Sequence, residues 1–280
     1  MKKLDEVGWA DGICIRAYGL RIGIRVNDKA VMKQVLDRLP FGWKPAQSSV
    51  VDCLYSVLVA EAQGQSNMRR FNLLYANATR LARTLDLEEM LTELEANLHS
   101  YVATTTERRM FFHAGVVGWR GRAIVIPGDN FSGKTSLVLA LMRAGASYYS
   151  DEFAVMDGRG LVHPYASPLH IRGRGLGRPE RCPVELMNGR VGKKPLPVGL
   201  IVVSHYEKGA RWQPQSLSPS RAALAMLSNA MSARLQPQAT MAMLRKLVSQ
   251  APVLQGVRGE ADEIVDSILN DVVKKNREVT

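Results

Sequence analysis

The sequence predicts an α/β chain, α+β overall, in which a small N-terminal α+β domain precedes a P-loop domain. Three observations predict it. Residues 122–127 (Arg-Ala-Ile-Val-Ile-Pro) suit a buried strand, residues 128–136 form a glycine loop, and residues 134–144 are apolar and helix-prone, with Gly145 as a stop. Residues 198–204 (Val-Gly-Leu-Ile-Val-Val-Ser) are apolar throughout, as in a central strand covered on both faces. Before this unit, residues 13–18 and 20–26 are alternating β-prone runs with Gly19 between them as a turn.

Taken in order, residues 28–39 read as a helix that the run Pro40-Phe41-Gly42-Trp43-Lys44-Pro45 breaks, and residues 51–59 and 70–75 as further strands. Asp86 can cap the next helix, with Glu89 completing a capping-box-like pair. Leu87, Met90, Leu91, Leu94, Leu98 and Tyr101 share one face of it, and Glu88, Glu89, Glu93 and Glu95 make the other face acidic and solvated. The domain boundary is drawn near residue 85, giving a structural or docking domain at 1–85 and the P-loop domain at 86–280. The end of this helix is the other position open to it. Residues 111–117 and 122–127 form a hairpin around Gly118-Trp119-Arg120-Gly121.

Residues 147–156 form a strand region that carries Asp151 and Glu152. A glycine-rich basic stretch follows at 172–194, and 211–217 reads as a strand. Helices are expected at 218–230, with Pro219 in the first turn, and at 240–249; a short strand follows at 253–258. A last helix at 260–275 has Ile264, Val265, Ile268, Leu269 and Val272 on its apolar side. Met226, Met231, Met241 and Met243 are read as core filling.

The loop Gly128-Asp129-Asn130-Phe131-Ser132-Gly133-Lys134-Thr135-Ser136 fits Gly, four residues, Gly-Lys-Ser/Thr. Its chemistry explains the spacing. Backbone N–H groups must converge on phosphate oxygens, which requires residues tolerant of unusual dihedrals. The following helix aims its unpaired N–H groups and dipole at the same anion. Lys134 adds a point charge for the terminal phosphates, and the Thr135 hydroxyl can ligate Mg²⁺. The motif points to ATP and Mg²⁺.

Composition excludes several classes. The chain has 280 residues, 46% hydrophobic and 22% charged, as in a folded globular protein. No apolar run approaches the ~20 residues of a membrane span, and no signal-peptide pattern is visible. Cys14, Cys53 and Cys182 lack metal-ligand spacing and suit reduced thiols in the cytoplasm. The formal charge of +11 is spread along the chain without a nucleic-acid module, so an acidic substrate or simple solubility accounts for it.

Phosphoryl transfer also needs a group that orients or deprotonates the acceptor. Asp151 and Glu152 are the candidates. Neighbours on a regular strand point to opposite faces, so both serve one site only if the backbone turns there. One carboxylate can then act as base while the other holds metal or orients a neighbour. Taken alone, His113 on its apolar strand reads as a core histidine.

The run from His113 to Asp151 resembles the C-terminal catalytic domain of bacterial HPr kinase/phosphorylase and its related kinases. That family has His-Gly, a hairpin, Gly-Asp-Ser-Gly-x-Gly-Lys-Ser, a helix and an Asp-Asp pair. This chain has His113-Ala114, Gly128-Asp129-Asn130-Phe131-Ser132-Gly133-Lys134-Thr135 and Asp151-Glu152, with fifteen residues from His113 to Gly128 and twenty-three from Gly128 to Asp151. The resemblance covers about a third of the chain. It implies a phosphoenolpyruvate-carboxykinase-like P-loop kinase domain and ATP-dependent phosphorylation of a serine hydroxyl. By the same resemblance Asp151 is the catalytic base, Glu152 interacts with His113, and Thr135 takes the Mg²⁺ role. With Asp151 as base, Glu152 is the carboxylate of the pair left as candidate metal ligand.

Phe131 replaces a P-loop glycine, and the family's Glu-Ile-Arg-Gly-Leu-Gly appears as His170-Ile171-Arg172-Gly173-Arg174-Gly175. The lost carboxylate at His170 points away from phosphorolytic activity. Arg172 and Arg174 are candidates for holding substrate or phosphate, against the reading of a solvated loop. The expected partner is a protein or peptide with a serine, without nucleic acid or membrane; self-association stays open. Two alternatives share the site: a small-molecule kinase, and a nucleotide-binding regulatory module without transfer.

Overall fold

The computed structural model describes residues 2–60, 71–128, 132–171, 180–187 and 189–277. The chain divides into two compact units, Met1–Arg108 and Arg109–Thr280.

The first unit comprises α1 (Lys2–Asp5), β1 (Asp11–Ala17), β2 (Leu20–Val26), α2 (Met32–Leu36), β3 (Lys44–Pro45), β4 (Cys53–Leu58), β5 (Asn72–Ala76), β6 (Thr79–Thr84) and α3 (Leu87–Thr105). Its six strands run in the order β3-β1-β2-β4-β5-β6. Tyr18 and Gly19 both take positive φ, 50° and 97°, which lets a two-residue turn follow the strand twist of the β1–β2 hairpin. The helix expected at 28–39 is shorter, because Asp28 caps a 3₁₀ turn at Lys29–Val31 before α2 begins.

The Asp86 carboxylate accepts from the N–H groups of Glu88 and Glu89, while Thr84 donates its hydroxyl to Glu89. The predicted cap forms, with Thr84 added. Met90, Leu91, Leu94, Leu98 and Val102 are fully buried, which contributes roughly 1.5–3 kcal/mol per side chain before entropy is counted. That face packs on β5 and β6, so α3 belongs to the first unit, and of the two positions open to the boundary the units divide at the end of the helix. Glu95 departs from the expected solvated face. It is buried, 3.9 Å from the buried guanidinium of Arg38, which also pairs with Glu88.

The second unit comprises β7 (Met110–Trp119), β8 (Arg122–Pro127), α4 (Lys134–Arg143), β9 (Ser147–Ser150), β10 (Phe153–Met156), β11 (Leu161–His163), β12 (Leu169–Ile171), β13 (Glu180–Cys182), β14 (Leu196–Tyr206), β15 (Gln215–Ser216), α5 (Pro219–Leu227), α6 (Pro237–Gln250), β16 (Val253–Arg258) and α7 (Ala261–Arg277). The main sheet runs β11-β10-β7-β8-β14-β16-β15, with β9 also pairing with β7. The strands β8, β14 and β16 are parallel, and β7 is antiparallel to β8. Alternation along β8 sends Ile124 and Ile126 to the face that carries Leu137 and Leu141 of α4 and Ile268 of α7. Ala123 and Val125 face the opposite layer, with Met226 of α5 and Leu244 of α6.

The strand expected at 211–217 shrinks to β15, and Met241 is exposed whereas Met226 and Met243 are buried. No described helix is long and apolar enough to cross a membrane.

Candidate active site

Gly128 follows β8 directly, and its N–H reaches the His113 carbonyl at 3.4 Å, extending the β7–β8 pairing into the loop. Gly115 of β7 explains how α4 settles on the sheet. A Cβ there would stand 2.7 Å from Val138 Cγ2, so only glycine admits the helix at this distance. Gly133 takes φ 84° and supplies no side-chain cap to the first turn of α4, the end of a helix at which an anion is favoured. Lys134 is buried and donates to the Gly128 carbonyl; Thr135 is half-buried and Ser136 exposed in the first turn. Ser132 lies beside Gly128, whose Cβ position is 2.7 Å from its Oγ. Asp129, Asn130 and Phe131 lie outside the described residues.

The strand region at 147–156 is broken where the carboxylates sit. Both β9 and β10 pair with β7, and Asp151-Glu152 is the interval between them. The Ser150 hydroxyl turns the backbone there by accepting from the N–H groups of Glu152 at 3.1 Å and Phe153 at 2.9 Å. Asp151 is consequently buried, with Oδ2 at 3.4 Å from Thr135 Oγ1 and Oδ1 at 3.0 Å from the Tyr148 hydroxyl. Glu152 accepts from the Ala114 N–H through its carbonyl. His113 pairs in register with Phe153 and its ring lies 6.3 Å from that of Phe153. Asp151, Glu152 and His113 thus flank one stretch of β7. The carboxylate that the fold sets against Thr135 is that of Asp151, whereas Glu152 is the candidate metal ligand beside Thr135 in the sequence reading.

Thr135 and Asp151 offer the hydroxyl and carboxylate oxygens that Mg²⁺ takes, a small set that suits an ion completed by phosphate oxygens and water. Among the described residues no three His, Cys, Asp or Glu side chains form a self-sufficient metal cage.

Two residues at the site were missed from the sequence. Tyr148 is fully buried, and its one hydroxyl proton lies between Asp151 Oδ1 and the Ser167 carbonyl, 2.9 Å away. Burial, together with the Asp151 charge, pushes its pKa well above the usual value, so it stays a neutral donor. A tyrosine three residues before the carboxylates in a buried strand was the available signal, because a buried hydroxyl needs a partner. Arg258 closes β16 and donates from Nη2 to the Gly133 carbonyl at 2.9 Å. A cation ending an otherwise uncharged strand was its only sequence signal.

A cleft of about 820 Å³ opens beside Gly128 and Ser132, between the C-terminal ends of β14 and β16 and the end of α5. Gln213, Gln215, Gln255, His205 and Asn229 line it, and no Asp, Glu, Lys or Arg does so among the described residues. Arg172 and Arg174 lie outside the described residues, as does the side chain of His170.

No protein-family model matches the chain, and no curated protein matches it in sequence. Among solved structures it is similar to the HPr(Ser) kinase/phosphatase from Coxiella burnetii, at 12% identity and a TM-score of 0.32, over 60% of this chain and 97% of that one. A score at this level carries no argument about activity, which rests on the site itself.

Proposed function

We propose that the chain is an ATP- and Mg²⁺-dependent phosphotransferase that phosphorylates a serine hydroxyl of a protein or peptide. The observation that carries this reading is the approach of Asp151 Oδ2 to Thr135 Oγ1, 3.4 Å, across the first turn of the P-loop helix. It brings a carboxylate to the point where a phosphate cradle and a metal-binding hydroxyl meet.

In this reading the backbone of Gly128–Ser136 and the Lys134 charge hold the triphosphate. The neutral amide-lined cleft receives the nucleoside, whose uncharged donor and acceptor edges match its side chains. Thr135 and Asp151 would hold Mg²⁺, and the ion would supply charge neutralisation at the transferring phosphoryl group. Asp151 orients the acceptor hydroxyl and takes its proton as the oxygen attacks the γ-phosphorus, whose bond to the β–γ bridging oxygen breaks with ADP as leaving group. Glu152 and His113 flank that carboxylate. The first unit serves as a structural or acceptor-docking body.

The test uses γ-labelled ATP, Mg²⁺ and a host-cell extract, comparing the wild type with Asp151→Asn. Label should enter a polypeptide only with the wild type. Asp151→Asn should lower turnover by about 10²-fold or more, with ATP affinity within a few-fold. Label in a metabolite instead would shift the reading to a small-molecule kinase. ATP binding without Asp151-dependent transfer would favour a regulatory module.

A further inference from the structure

Arg258 is a buried cation with an unusual set of partners. Its residue is 2% exposed, and its guanidinium donates to two backbone carbonyls, Gly133 through Nη2 and Gly259 through Nη1, both at 2.9 Å. Its Nε is buried without a partner. The Tyr206 ring lies 5.6 Å from the guanidinium carbon, and no carboxylate of a described residue comes within the 4.0 Å of an ion pair. Arg38 is the contrast within this chain. It is similarly buried at 5%, yet it has both Glu88 and Glu95. Glu260 acts on Arg258 by charge from beyond ion-pair distance, and burial outweighs that attraction. A buried charge without a close ion pair destabilises a fold, so its presence here needs a reason.

Peptide geometry supplies one. In a planar trans peptide the C=O and N–H vectors point in opposite directions. Holding the Gly133 carbonyl on the Arg258 side therefore turns the Lys134 N–H away from Arg258. The same carbonyl accepts from the Leu137 N–H at 3.1 Å, so Arg258 grips the first acceptor of the α4 ladder. A Cβ on Gly133 would collide with the guanidinium, so its φ of 84° and the approach of Arg258 both demand glycine there. Polarising this peptide from the carbonyl end strengthens its N–H as a donor.

We propose that Arg258 is a positioning residue for the P-loop. Its fixed charge holds the Gly133–Lys134 peptide ready for an anionic ligand, a nucleoside triphosphate, whose charge offsets its own. This rests on the reading of residues 128–136 as a phosphate site. A residue of this kind weakens the unliganded fold and strengthens the liganded one, which separates it from a structural arginine.

The test measures melting temperature without ligand and Kd for ATP and for inorganic tripolyphosphate, in the full chain. Arg258→Met should melt at or above the wild-type temperature, while both anions bind about tenfold or more weakly. Arg258→Lys keeps the charge without the planar fork and should recover part of the affinity at an unchanged melting temperature. The proposal is overturned if Arg258→Met binds both anions as the wild type does, or if it loses stability together with affinity. Failure of Arg258→Met to fold likewise overturns it, because that is the behaviour of a structural arginine. Arg258→Lys is the second arm: wild-type affinity overturns the proposal, and weakened affinity with unchanged melting supports it. Failure of the phosphate-site reading looks different, because the wild type then binds neither anion and Lys134→Ala changes nothing.

Discussion

Asp151 has two carboxylate oxygens, and the fold gives them different neighbours: Tyr148 at Oδ1 and Thr135 at Oδ2. The Tyr148 donor fixes the rotation of that carboxylate. Tyr148→Phe should therefore lower kcat by roughly three- to tenfold, with KM for ATP unchanged. An unchanged kcat accompanied only by a lower melting temperature would leave Tyr148 as packing. The sequence reading reached Asp151 as a carboxylate in the strand region after the P-loop helix, and the family resemblance added its spacing, but it passed over Tyr148. Spacing does not say which neighbours turn toward a carboxylate once strands pair.

The β10–β11 hairpin shows the same dependence at the scale of an element. Asp157 is buried in its turn, where it accepts from the N–H groups of Arg159 and Leu161 and meets His163 at 3.0 Å. Burial opposes ionisation, but the His163 bond and the backbone and Arg159 donors outweigh it and hold the carboxyl well below the usual 3.8. A depressed carboxyl contributes stability that is fully present above its unfolded value and fades as pH falls through the folded one. Asp157→Asn should melt lower by about 3 °C at pH 7, and the gap should close as pH is taken below 3.8. A gap that persists in acid would mean that the turn is held by shape alone. Elements with a buried stripe or a strong cap were legible, as in α3 and α7. The strand β6 was missed because its residues are exposed or only half-buried and include two arginines, so no apolar alternation marks it.

At the scale of the whole molecule, each unit has its own sheet and its own buried face. Residues 1–108 expressed alone should melt cooperatively, and residues 109–280 alone should bind tripolyphosphate with the full chain's affinity. A first unit that stays unfolded by itself would show that its sheet and α3 do not make a sufficient core. The two units also explain why the sequence left two positions open for the boundary. The acidic, well-capped start of α3 reads as the opening of a new domain, yet its apolar face closes the sheet that precedes it.

The sequence by itself determined what short-range chemistry dictates: the P-loop glycines, the strand and helix around them, the cap of α3 and the carboxylate pair at its distance from the loop. These follow from steric limits on a few neighbouring residues and from hydrogen bonds that close within one turn. Tertiary structure alone decided which partners meet across the fold. Arg38 joined Glu95, Asp151 rather than Glu152 came to Thr135, and Arg258 came to Gly133 from 125 residues away. The physical reason is that burial and charge pairing are set by packed elements distant in sequence, and no local periodicity records them.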